Sequence, residues 1–148
     1  MQHELLDDNL QLVQKIVKTL DDLHLQNWPE VEGDYARNRI KTELSEWFGN
    51  RLKELEGFKS GKLQVKVPPT DHREKEDLPR LKEMYKVTRG LVECNFDMLI
   101  QHIKSEDDSH VAFCAFLMNY LLGYDKPCIE QLKWILHLEC EDQITKQP

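Results

Sequence analysis

Glycine and proline are scarce, with six of each in 148 residues. They fall between periodic segments, so they punctuate elements and do not signal a disordered chain. No glycine-rich loop is present to cradle a phosphate, and no G-x-S-x-G turn raises a nucleophilic serine. The four cysteines, Cys94, Cys114, Cys128 and Cys140, contain no C-x-x-C pair and lie among apolar neighbours. They read as reduced core thiols of a cytosolic or nuclear protein. Long apolar runs are also lacking. The most apolar stretch, residues 111–122, is interrupted by Asn119 and is shorter than the ~20 residues a bilayer requires. Near the start, His3, Glu4, Asp7 and Asp8 stand where a secretory signal would place basic residues before an apolar run. No membrane contact is expected.

Reactive groups are equally sparse. His137 and Cys140, three apart on one helical pattern, are the best pair of metal-type ligands, but no second pair and no H-E-x-x-H accompanies them. Cys114 lies in the most apolar segment, where burial raises a thiol pKa and silences it. Asp107, Asp108 and His110 form the nearest approach to an acid–imidazole cluster, and they read as helix capping and solvation. The expectation is no catalytic residue, no metal and no cofactor.

What is present is apolar periodicity. Apolar residues make up 40% and charged residues 32%, a composition that suits amphipathic helices around one core. The fold class expected is all-α: a single domain over residues 1–148, a bundle of about five helices, with one extended loop or short strand near residues 59–73. Leu6, Leu10, Val13, Val17 and Leu20, widened by Leu5, Leu12, Ile16 and Leu23, predict a first helix over 4–24. Asp34 is a candidate N-cap for a second helix over 35–56, with Ile40, Leu44, Trp47, Phe48, Leu52 and Leu55 inward and Gly57 as its stop. A third, over 77–104, buries Leu81, Met84, Tyr85, Leu91, Val92, Phe96, Leu99 and Ile103, with a bend at Gly90 that could divide it in two. Residues 110–122 are apolar nearly all round, which predicts a central, fully buried helix closed by Gly123. Asp125 then caps a last helix carrying Pro127 in its first turn, and residues 141–148 read as a flexible tail.

The net charge is −7, yet residues 62–89 hold eight basic and five acidic residues. An acidic chain with one mildly basic segment disfavours phosphate-driven binding as the main task. Residues 62–67 alternate polar and apolar before Pro68-Pro69, a short strand pattern or an extended loop. Its Leu63, Val65 and Val67, together with Trp28 in a turn and Tyr124 after a helix end, are the candidate partner-binding residues.

Residues 39–58, with Arg39-Ile40, Leu44, Trp47, Arg51-Leu52, Leu55-Glu56 and Phe58, form a pattern similar to the helical signature of one subunit of the GINS replication complex. That resemblance implies a helical domain joining a larger assembly. The remainder departs from the family, because the helical pattern over 105–140 leaves no place for its small β-domain. No site residue is carried over.

Complete inward stripes without a convergent reactive group point to a module that binds another protein, as an adaptor or subunit of an intracellular assembly. The alternatives are a small RNA- or DNA-contacting factor using segment 62–89, and a helical enzyme with a site scattered in sequence.

Overall fold

The structure, a computed structural model, describes residues 4–24, 38–65, 77–104 and 111–146, with side chains up to Glu139 save those of Lys41, Val111 and Ala112. Among these residues the fold is an all-α bundle of four helices and contains no strand. Helix α1 spans Glu4–Asp22. Helix α2 carries a wide π-helical turn, Ile40–Leu44, near its described start and continues without a break as Ser45–Ser60. Helix α3 spans Leu78–Lys104 and helix α4 spans Val111–Lys146.

The wide turn has a packing reason. Ile40, Leu44 and Phe48 are fully buried, and they stand four residues apart. An ordinary helix carries residues four apart ~40° past one another at ~3.6 residues per turn, and one wider turn offsets that drift, so all three stay on one side. The Ile40 carbonyl accepts both the backbone N–H of Ser45 and its hydroxyl, the latter at 3.0 Å.

Cross-helix pairs fix the topology. Lys59 meets Asp7 at 2.7 Å, so α2 runs antiparallel to α1. Lys82 meets Glu139 at 2.7 Å and the ring of His102 lies 4.7 Å from that of Phe113, so α3 and α4 form an antiparallel hairpin. Asn9 reaches Tyr85 while Lys15 reaches Glu93 and Asp97, so α1 lies parallel to α3. Arg39, Arg51 and Glu54 meet Asn119, Asp125 and Lys133, so α2 lies parallel to α4. The molecule is thus one hairpin laid upon another. Tyr85, Phe48, Phe96, Leu99, Met118, Leu121 and Leu132 fill the space between them. Truncating a buried aromatic in such a core typically costs about 3–5 kcal/mol.

Several expectations are corrected. Four helices replace five, because α4 runs straight through Gly123, Asp125 and Pro127. Pro127 has no N–H for the carbonyl four residues back, that of Gly123, but both residues are exposed, so water can serve that carbonyl. On either side, buried Leu121, Cys128, Ile129 and Leu132 anchor the helix to the core, and their burial outweighs one missing bond. Asp125 caps nothing; its side chain is buried inside the bundle. Gly90 does not divide α3. Gly57 does not stop α2, which runs on to Ser60 and is capped by Gly61 in the left-handed conformation (φ 79°) that glycine adopts without strain. Helix α4 extends as far as Lys146. Residues 61–65 are turn and coil with no strand pairing. The Asp34 cap, Trp28, the remainder of the 59–73 excursion with Val67, and the acidic connector at 106–108 lie outside the described residues.

Candidate interaction surface

A buried polar junction holds the two hairpins in register. Trp47 Nε1 donates to Asp125 Oδ2 at 2.5 Å, and Arg51 Nη2 donates to the same oxygen at 3.3 Å. Arg51 Nη1 donates to Glu54 Oε2 at 3.0 Å, and Lys133 Nζ meets the other oxygen of Glu54 at 2.5 Å. The Arg51 guanidinium also lies 5.3 Å from the centre of the Trp47 ring, within cation–π range. The Arg51 and Asp125 side chains are only 9% and 6% exposed. Burial pushes the Asp125 carboxyl above its usual range, against the opposing pull of Arg51 and Trp47.

Close by along α4, Cys128 faces the other hairpin. Asn9 Nδ2 donates to Tyr85 Oη at 2.7 Å and approaches Cys128 Sγ at 3.8 Å. All three residues are buried. Desolvation, aided by the Asp125 charge, pushes the Cys128 thiol up to about 12, and burial likewise raises the Tyr85 phenol. A protonated thiol is a poor nucleophile. The chemistry of this junction is therefore that of a locked polar seam: it pairs both Arg51 Nη atoms, though not the buried Arg51 Nε, and penalises any slippage of one helix past another. Among the described residues, no three His, Cys, Asp or Glu side chains group so as to hold a metal ion.

The feature that most departs from the sequence reading is on the outside. Met84, Val87, Leu91 and Met98 of α3 and Phe113, Phe116 and Tyr120 of α4 are between 38% and 66% exposed. Met84 and Leu91 were expected in the core, and the helix over 110–122 was expected to be covered on every side. Instead it is buried along one side only, through Cys114, Leu117, Met118 and Leu121.

These exposed residues form two parallel stripes on one face. With about 100° of turn per residue, Leu91 and Met98 lie well around α3 from Glu93 and Asp97, which face α1. Phe113, Phe116 and Tyr120 lie well around α4 from Asn119 and Lys133, which face α2. The contact of His102 with Phe113 joins the two flanks. Both stripes therefore border the outer seam of the α3/α4 hairpin, on the side that α1 and α2 do not cover. The outward side of the other hairpin is ordinary by comparison, with Gln11, Gln14, Lys18, Glu43, Glu46 and Lys53 exposed.

The candidate residues read from sequence fall elsewhere. Leu63 is exposed beyond the end of α2 and lies against Gly57, so close that a Cβ there would come within 2.5 Å of its Cδ1. Val65 and Tyr124 are half-buried and pack against the core; Tyr124 sits inside α4, not after a helix end. Trp28 and Val67 are outside the described residues. The basic segment is partly neutralised where it is described: Arg80 pairs with Asp77, Lys82 with Glu139 and Lys86 with Glu83. No helix among the described residues is long and apolar enough to cross a membrane.

One sequence signal pointed to the outer face, the all-round apolarity of 111–122. Which side would stay open was not readable from it. No protein-family model, curated protein or solved structure matches the chain, so the GINS-like pattern over 39–58 rests on those positions alone.

Proposed function

We propose that this chain is a protein-binding module, an adaptor or assembly subunit, whose contact surface is the outer face of the α3/α4 hairpin. One observation carries the reading: seven large apolar side chains on that face are substantially exposed, whereas the outward side of α1/α2 is polar. Taking roughly 150–200 Å² for a fully open side chain of this size, the seven leave on the order of 600 Å² uncovered. The largest apolar patch on a typical monomer is about 300–600 Å² and is often functional, so this face stands at the upper end of that range.

The test is comparative capture. Wild-type chain and the variants Leu91→Glu and Phe116→Glu, all confirmed folded by circular dichroism, are used as bait in a native extract. Chains retained by the wild type and lost with both variants support the reading. An identical retained set for all three baits, or none for any, removes it.

A further inference from the structure

We propose that the outer face of α3 and α4 seats a second copy of this chain, giving a symmetric dimer in which hairpin packs on hairpin. The inference rests on the protein-binding reading of that face and names its occupant.

Three observations select a second copy. The first is spacing. Positions 84, 87, 91, 94 and 98 of α3 are Met, Val, Leu, Cys and Met, and positions 113, 116, 120, 123 and 127 of α4 are Phe, Phe, Tyr, Gly and Pro. Both series advance by alternating three and four, the spacing of a seam that packs against another helix. A second α3/α4 face presents the same stripes and can mesh with them ridge into groove.

The second observation is charge. The chain carries −7 overall, yet none of these ten positions is charged. In a two-fold contact each patch meets its own copy, so a charged patch would oppose itself. An uncharged one carries no such repulsion, and because α3 and α4 are antiparallel, the face still sets helix upon helix when turned over.

The third is area. On the order of 600 Å² from each protomer gives roughly 1,200 Å² in total, the lower end of specific interfaces. That clears the ~1,000 Å² a specific interface needs and falls short of the ~2,000 Å² and more of obligate ones.

The experiment is sedimentation velocity on the full chain from about 1 μM to about 1 mM, where a weak specific contact changes occupancy. It is run at low and high salt and repeated with Leu91→Glu, Phe116→Glu and the off-face control Gln11→Glu. The expected result is a monomer that becomes a dimer as concentration rises. Both face variants abolish it and Gln11→Glu preserves it. Salt strengthens it, because screening relieves repulsion between two acidic chains that meet on an uncharged patch. Cys94, on the α3 stripe, reacts with maleimide more slowly in the dimer. A monomer across the whole range overturns the proposal, as does a dimer that survives both face variants or weakens with salt. Capture by the wild type alone, with a chain that stays monomeric, overturns the dimer and leaves the protein-binding reading standing. Failure of both experiments removes both.

Discussion

Trp47 and Arg51, one turn apart on α2, both donate to the same oxygen of Asp125 on α4, at 2.5 and 3.3 Å. A single carboxylate thereby ties two helices that belong to different hairpins. Removing it should leave a buried guanidinium with one of its two countercharges, Glu54 at 3.0 Å, and an indole N–H without its acceptor. Asp125→Ala is expected to cost about 3 kcal/mol in urea unfolding, as broken buried pairs do. Asp125→Asn, which keeps an acceptor for Trp47, should cost about 1–2 kcal/mol. Arg51→Met should be milder than Asp125→Ala, because the stranded carboxyl can take up a proton. Equal stability of wild type and Asp125→Ala would show that the junction ties nothing.

The same carboxyl makes a pH prediction of unusual sign. Its folded-state pKa is raised by burial. Between the ordinary aspartate range and that raised value, the folded chain holds a proton that the unfolded chain has released. Stability from this group therefore rises as pH falls through that window, then levels off once the unfolded chain is protonated too. Subtracting the pH–stability curve of Asp125→Asn from that of the wild type isolates the contribution. The difference should grow in favour of the wild type toward acid. A difference that shrinks toward acid would mean that Arg51 and Trp47 outweigh burial.

Asn9 and Tyr85 allow a cleaner separation. Tyr85→Phe leaves the buried Asn9 amide with Cys128 alone and should cost about 1–2 kcal/mol. Asn9→Leu strands the Tyr85 hydroxyl at a similar cost. The double variant removes both needs, so its loss should be smaller than the sum of the two single losses. Strict additivity would contradict the bond.

Pro127 tests whether α4 is one helix. In a helix interior, Pro127→Ala restores the N–H for the Gly123 carbonyl and relieves ring crowding, and it should stabilise by about 1–3 kcal/mol. At the first turn of a separate helix the same change would be neutral or unfavourable. A rise in Tm of several degrees is the expected result; no rise would restore the broken helix that the sequence suggested.

Thiol reactivity follows from burial. In native chain at low concentration, Cys94 is exposed while Cys114 and Cys128 are buried. Site-resolved labelling should modify Cys94 promptly and reach the other two only on unfolding. Fast labelling of Cys128 would show that the seam opens.

The helices themselves were legible in residues. Leu6, Leu10, Val13 and Leu20 marked α1 nearly to its ends, because its wet and dry sides differ. The bounds of α3 were equally plain. Asn9, a polar residue between Leu6 and Leu10 on that dry side, was the available sign of a buried bond. Punctuation misled at Gly123, Asp125 and Pro127, because local rules for caps and breaks do not include the neighbours that bury Leu121, Cys128 and Leu132. Periodicity also failed for Met84, Leu91, Phe113 and Phe116. It reports that a side is apolar, but what covers that side depends on the placement of the other hairpin.

The most direct test of the contact surface is oxidative footprinting of Met84 and Met98 by mass spectrometry, in dilute isolated chain and in native extract. Both should oxidise rapidly when dilute and be protected in the extract, with Leu91→Glu and Phe116→Glu removing that protection. Slow oxidation in the dilute isolated chain, or equal rates in both settings, would contradict an open face that binds protein.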